Sequence, residues 1–495
     1  MSNKKKKIHS LNFIKTKMKI SDLKPNIVLI IADQWRGDCI GFLNHPVVET
    51  PNIDCLFSQG VAFTQAYSAV PSCIAARTTL LTGLSQKSHG RVGYQDRVRW
   101  NYPVTLPGLL SEAGYHTHCV GKMHVFPARK LMGFHSVTLH DGYLHNERCR
   151  ETDYNLVDDY LPWLKEKCGS ETDITDAGLG CNGYSVNPWP YEERYHPTNW
   201  VTSQSIDFLR KRDPTKPFFL KVSYHRPHPP LDPPEYYLNR YLDKELPPVA
   251  IGDWVENSLI HNRGIDCPVP KDKSQIDLAR KAYYAQLTHI DCQINRIVHA
   301  LNEQQLMENT LLMFVSDHGD MLFDHNMVAK SVPYNGSSKI PFLLRFPDSM
   351  RQPKITKVDV PVELRDILPT FLEAAGIDIP DSVEGSSVFP LCYDKESVWR
   401  EYIHGEHSCG KNSNHWITNG KEMYIWFSQT GKEQFFEIEK DPDNLINMLE
   451  KKNNRVIYWR QKLINELKGR EENYVKNGKL ITGQIPKTNL NQNGK

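Results

Sequence analysis

Asn26-Ile27-Val28-Leu29-Ile30-Ile31-Ala32, closed at once by Asp33-Gln34, decides the architecture. A run this short, uncharged and rich in β-branched side chains reads as a strand buried on both faces, the habit of parallel sheets. Phe218–Ser223 (FFLKVS) and Thr310–Ser316 (TLLMFVS) repeat the pattern, and Asp317 follows the second of them. In an open parallel sheet the carboxyl ends of the strands form the ligand crevice, so Asp33 and Asp317 are expected to converge. From about Ser274 to Leu301, apolar residues including Ile276, Tyr283, Leu287, Ile290, Ile294 and Ile297 recur at steps of three and four, predicting a long amphipathic helix. Shorter helices are predicted at Ser72–Leu81, ending at Gly83, and at Leu106–Glu112, ending near Gly114. Strands alternating with helices give the α/β class, with a mixed, mostly parallel sheet flanked by helices.

Beyond Pro380 the texture changes. Met423–Phe427 (MYIWF) and Gln434–Ile438 (QFFEI) read as an antiparallel hairpin, followed by a polar helix over Asn454–Lys468. The Asn-, Lys- and Gly-rich end from Lys476 predicts disorder. At the other end, Lys15, Lys17 and Lys19 interrupt the apolar run, so a solvated basic tail is expected rather than a secretion signal. The expected organisation is a tail over 1–23, a catalytic α/β domain over 24–385, an α+β subdomain over 386–475 and a tail over 476–495.

The 495 residues are 39% hydrophobic and 24% charged, the composition of a soluble globular protein. A net charge of +2 argues against general nucleic-acid binding. No apolar stretch is long enough to span a bilayer, so no membrane partner is expected. Eleven cysteines, an odd number without a CxxC, fit a reducing compartment. A cytoplasmic location is expected, with a periplasmic or secreted one left open if a signal was removed.

The chemistry concentrates in a few segments. In Pro71-Ser72-Cys73-Ile74-Ala75-Ala76-Arg77, Cys73 opens a helix, where backbone N–H groups favour negative charge, and Arg77 falls on the same face. A nucleophile between a helix N-terminus and a guanidinium suits attack on an anionic ester, although a lone cysteine there would ordinarily be packing. Asp33-Gln34 after the first strand and Asp317-His318, at the head of Asp317-His318-Gly319-Asp320, offer mainly oxygen ligands in Asp33, Gln34, Asp317 and His318, which suits a hard cation. In Gly121-Lys122-Met123-His124, alternation along an extended chain puts Lys122 and His124 on one side. Tyr224-His225-Arg226-Pro227-His228 follows the second deep strand, and Lys330 lies thirteen residues beyond Asp317. Arg97, Arg99 and Trp100 suit a subsite for a carboxylated sugar, or equally an exposed basic turn. His404-Gly405-Glu406-His407 is placed to lean over the pocket, and a zinc site there lacks further ligands in the local sequence.

Taken in order, these segments resemble the formylglycine-dependent sulfatases. Cys73-x-Ala75-x-Arg77 with Thr82-Gly83 is similar to their signature, Gly121-Lys122-Met123-His124 to their Gly-Lys-x-His, and His225 to His228 to their His-x-x-His. Gln434 to Pro442 resembles their C-terminal strand and Asp-Pro turn. The resemblance implies an alkaline-phosphatase-like fold and a Cys73 converted to formylglycine by a formylglycine-generating or anaerobic sulfatase-maturating enzyme. It implies one divalent metal, Ca²⁺ ahead of Mg²⁺ or Mn²⁺, on Asp33, Gln34, Cys73, Asp317 and His318. Many members carry Asp-Asp where this chain has Asp33-Gln34, so one negative charge is lost. The catalytic set it implies is Cys73, Arg77, Lys122, His124, His228 and Lys330, with Arg97, Arg99, Trp100, His225 and His407 as substrate contacts. The implied activity is sulfate release from a sulfated carbohydrate, including 2-O-sulfated uronates of glycosaminoglycan fragments. Asp33-Gln34-Trp35-Arg36 is shared with phosphonate monoester and phosphodiester hydrolases of the same superfamily, which stay open as an alternative. A non-catalytic anion- or sugar-binding homologue is the remaining one.

Overall fold

The computed structural model describes residues 24–143, 157–255 and 270–491. The basic tail expected over 1–23 lies outside them. β1 (Asn26–Asp33) is buried along its whole length because it sits inside an eight-stranded sheet. It pairs in parallel with β6 (Phe218–Pro227) on one side and β7 (Thr310–Ser316) on the other. Beyond β6 lie β4 (His116–Gly121) and β5 (Ser136–Leu139), both parallel. Beyond β7, β8 (Phe342–Arg345) is antiparallel, followed by β2 (Val61–Phe63) and β9 (Lys357–Val358). A short parallel pair joins β3 (Ala66–Tyr67) to β10 (Val362–Glu363).

Side-chain alternation along β1 builds two cores. Val28, Ile30 and Ala32 face a cluster that includes Tyr283, Leu287, Ile290 and Ile294 of the long helix. Ile27, Leu29 and Ile31 face Leu106, Leu110, Ile367 and Phe371 on the other side. The long helix spans Lys273–Glu303, slightly beyond its apolar repeat, and starts where the Asp272 side chain accepts from the Gln275 N–H. The Leu106–Glu112 helix has the predicted bounds, and the Thr105 side chain accepts from the Gly108 N–H at its start.

β6 runs four residues past the apolar stretch that announced it. Its pairing with β1 slips between Ala32 and Asp33, so Asp33 lies opposite Pro227. The bulge carries His225 and Arg226 to the carboxyl edge of the sheet.

The C-terminal sheet is an antiparallel meander of β11 (Ile403–His407), β12 (Asn414–Thr418), β13 (Met423–Phe427) and β14 (Glu433–Phe436). One face, with Ile417, Tyr424, Trp426 and Phe435, packs on Val456, Trp459 and Leu463 of the helix Asn453–Leu467. The other, with Trp416, Ile425 and Phe436, packs on Tyr67, Met321 and Tyr334. The expectation of disorder from Lys476 is wrong for the described residues. β15 (Val475–Lys476) and β16 (Lys479–Leu480) form a hairpin. Asn489 then bridges Arg91, and the Leu490 N–H donates to Gly90 C=O at 2.7 Å with Leu490 only 6% exposed. Composition suggested solvation, but it registers neither the local hairpin nor the distant partners of Asn489 and Leu490.

Candidate active site

Ser72 is extended, the helix Cys73–Thr82 follows, and Gly83 ends it at φ 67 with its N–H on Thr79 C=O. That left-handed turn favours glycine, and a Cβ there would also meet Val383 at 2.9 Å. The helix is buried throughout, and Cys73 is 3% exposed. Its Sγ lies 3.1 Å from His318 Nε2 and 3.7 Å from Asp33 Oδ1. One potential ligand atom from each of Asp33, Cys73, Asp317 and His318 falls within 4.8 Å of all the others. His318 Nδ1 is 3.0 Å from Gly319 C=O, which can only accept. A neutral imidazole therefore carries its proton on Nδ1 and turns the Nε2 lone pair into the cluster. Two carboxylates, one imidazole lone pair and residue 73 fit a single divalent cation.

Two buried cations brace this cluster. Arg77 Nε donates to Asp317 Oδ2 at 2.9 Å, and its Nη1 reaches Ser223 Oγ at 2.8 Å and Lys122 C=O at 3.0 Å. Lys122 Nζ pairs with Asp33 Oδ2. Burial would raise the Asp33 carboxyl, but the charges of Lys122 and Arg77 outweigh it and hold it well below the usual range. Burial would likewise lower the Lys122 ammonium, but Asp33 and Cys73 keep it raised.

Gln34 is held at φ 69, with its N–H on Asp317 Oδ1 at 3.1 Å. Its Nε2 donates to Asp320 Oδ2 at 2.5 Å, which turns Oε1 toward Lys330 Nζ at 2.7 Å. Lys330 Nζ also lies 2.8 Å from His228 Nε2, while His228 Nδ1 lies 2.8 Å from Pro229 C=O. The carbonyl fixes the proton on Nδ1, so Nε2 accepts from the lysine. Burial and the Lys330 charge push the His228 imidazole well below its usual pKa.

Other expectations need correction. β4 ends at Gly121, and His124 has φ 57, so the chain turns out of the extended conformation at His124 and strict alternation does not carry through to it. Asp141 makes that turn by accepting from the N–H groups of Met123 and His124 at 2.8 and 2.9 Å. The His124 ring is buried, 6.1 Å from that of Tyr94. Trp100 is 1% exposed, packed in the second core with the Arg91 guanidinium 5.2 Å from its ring, and so is not open to a substrate. Arg97 and Arg99 are exposed on the loop that carries Tyr94. His407 is buried on β11 opposite Asn414. His225 lies 5.0 Å from the His228 ring, its Nδ1 2.6 Å from Arg226 Nη1. Arg226 is fixed by a buried two-point pair to Asp232, each bond 2.7 Å. Gly142, at φ 67, leaves room for the His225 ring, 2.1 Å from where a Cβ would stand.

Sequence reasoning missed Asp320, Tyr184 and Asp141. Asp320 also accepts from Tyr184 Oη at 2.7 Å and from the N–H groups of Leu322 and Ala329 at 2.8 and 3.0 Å. Its place in Asp317-His318-Gly319-Asp320 was the available signal, whereas Tyr184 and Asp141 had none.

A sheet whose central strands deliver two carboxylates beside a helix-borne cysteine and arginine has the layout of a hydrolase in the alkaline-phosphatase-like class. The sulfatase family model matches residues 25–377, and the model of the N-sulphoglucosamine sulphohydrolase C-terminal region matches residues 323–473. The chain belongs to the sulfatase family and is a sulfatase enzyme. An arylsulfatase of Clostridium perfringens is 52% identical over 471 residues, covering 93% of this chain and 98% of that one. The phosphonate monoester hydrolase of Agrobacterium radiobacter shares the fold with a TM-score of 0.74 at 23% identity, over 89% of this chain and 95% of that one. BT4656, solved with its substrate D-glucosamine-2-N,6-O-disulfate, does so with a TM-score of 0.72 at 17% identity, over 91% and 99%. Among the described residues, no helix is long and apolar enough to cross a membrane.

Proposed function

We propose that this sulfatase releases inorganic sulfate from a sulfated carbohydrate, a class that includes the 2-O-sulfated uronates of glycosaminoglycan fragments. The observation that carries the reading is the convergence of Asp33, Cys73, Asp317 and His318 within 4.8 Å, braced by Arg77 and Lys122. A divalent cation, Ca²⁺ first, would be held there, with the Gln34 carbonyl as a further donor, and would supply Lewis acidity. Formylglycine at residue 73, made by a dedicated maturating enzyme, would supply a nucleophile whose adduct can be expelled internally.

The chain's own residues do the rest. Arg77 and Lys122 neutralise charge on the sulfate oxygens from fixed positions in a water-poor pocket. Lys330 and His228 hold one proton between Nζ and Nε2 for the departing alcohol oxygen. His124 takes up the proton released on turnover. Arg97 and Arg99 are exposed on the loop of Tyr94, whose ring lies 6.1 Å from that of His124, and would meet a carboxylated sugar there. The arylsulfatase relative and the disulfated glucosamine of BT4656 support the sulfate ester and the sugar respectively.

The test is sulfate release from defined glycosaminoglycan disaccharides and aryl sulfates, with the Cys73 peptide weighed by mass spectrometry in the same preparation. Turnover by a chain whose Cys73 is wholly unmodified, or by Cys73→Ser made without a serine-converting maturase, overturns the nucleophile. Phosphonate monoester or phosphodiester hydrolysis is the second reading, favoured by the uncharged Gln34 carboxamide beside the cluster. Matched aryl sulfate and aryl phosphonate rates decide between them.

A further inference from the structure

A second cluster lies in the C-terminal sheet. β11 and β12 pair so that Glu406 stands opposite His415, and His404, two residues before Glu406, shares its face. One potential ligand atom from each of the three falls within 4.8 Å of the other two. His415 Nδ1 is 3.6 Å from Glu406 Oε2. His404 Nε2 and His415 Nδ1 are both buried, and neither hydrogen-bonds to a described residue. Buried polar atoms are almost always partnered, and an orphan points to a missing water or ion.

The surroundings hold the three side chains in place. Glu406 Oε1 is held by Arg470 Nη1 at 2.6 Å, and Arg470 Nη2 pairs with Glu472 at 2.5 Å. Gln86 donates to His404 C=O at 2.8 Å and lies 3.4 Å from Nδ1, so Nδ1 faces Gln86 and Nε2 faces inward.

We propose that His404, Glu406 and His415 form a second metal site, for a divalent transition ion of the zinc class. Two imidazoles and one carboxylate suit zinc better than the calcium expected at the oxygen-rich catalytic cluster. Arg470 on the outer oxygen of Glu406 and Gln86 beside the outer nitrogen of His404 fix the ligands from behind. With zinc on Nε2 the His404 proton sits on Nδ1, and Gln86 holds the residue through its bond to the His404 C=O. The cluster shares the sheet face that packs on the helix Asn453–Leu467, with Tyr474 edge-on to His415 at 5.0 Å, so the ion acts as a staple between β11 and β12.

The experiment uses the full chain with Cys73→Ala and His318→Ala, which removes the thiol and imidazole that zinc would prefer in the catalytic cluster. It is loaded with zinc and gel-filtered, and its metal is counted by plasma mass spectrometry. One zinc ion per chain is expected, with a higher Tm on loading, and adding His415→Ala abolishes both. In zinc-soaked crystals of the unaltered protein, an anomalous peak at the zinc edge is expected between the three side chains, a measurement that needs no variant. Zinc retention unchanged by His415→Ala, or the absence of a peak at that position, overturns the proposal.

Discussion

Replacing Lys330 with alanine tests the proton-donating pair. The ammonium is 2.7 Å from Gln34 Oε1 and 2.8 Å from His228 Nε2. Hydrogen bonds with a charged partner contribute about 1.5–3 kcal/mol each. Losing two of them from the transition state costs roughly 3–6 kcal/mol, about 10²- to 10⁴-fold in kcat/KM. If the lysine supplied only charge, all sulfate esters would slow by a similar factor. If it holds the departing proton, esters of sugar alcohols suffer most, because a nitrophenolate leaves without protonation. The variant is therefore expected to lose about 10²-fold on 4-nitrophenyl sulfate and about 10⁴-fold on a sulfated disaccharide, the two ends of that range. Initial rates are followed by ion chromatography of sulfate, on preparations matched for the state of residue 73. An equal loss on both substrates would refute the proton-donating role.

Three further predictions concern the scaffold. Asp232→Asn leaves the buried Arg226 guanidinium without its partner and is expected to cost roughly 3–5 kcal/mol in guanidinium denaturation. The double change Arg226→Met with Asp232→Leu is expected to recover most of that, and a single-variant loss below about 1 kcal/mol would contradict the pairing. Burial lowers the His118 imidazole to about 4, so as pH falls the unfolded chain is protonated first and stability drops between pH 6.5 and 4. About 2 kcal/mol of His118's share is expected to go between pH 7 and 5, and His118→Gln should remove that share of the slope. Truncation after Ile485 removes the buried Leu490 and the Arg91–Asn489 bridge. It is expected to cost about 1.5–3 kcal/mol and to speed tryptic cleavage at Arg97 and Arg99, and unchanged protease resistance would contradict that.

The parallel core was legible because burial on both faces writes itself into uninterrupted apolar runs such as Asn26–Ala32. The meeting of Asp33 and Asp317 was legible too, since Ala32 and Ser316 are paired residues of adjacent strands, each immediately before its acid. What escaped depends on contacts remote in sequence. The turn at His124 is made by Asp141, and Trp100 is drawn inward under Arg91. The ordered C-terminal segment finds Gly90 and Arg91 nearly 400 residues away. The second cluster escaped for the same reason: His404-Gly405-Glu406-His407 showed two of its members, but the third, His415, arrives only through strand pairing.

The burial of Cys73 orders events in the life of the chain. A side chain 3% exposed, at the start of a helix with no exposed residue, is beyond the reach of any macromolecular catalyst once the sheet has closed. On the formylglycine reading proposed above, the enzyme that oxidises this thiol must therefore act on the nascent or unfolded polypeptide, in competition with collapse of the core. On the same reading, a host lacking that enzyme during synthesis would yield a well-folded but silent protein, and supplying the enzyme afterwards would not awaken it without unfolding.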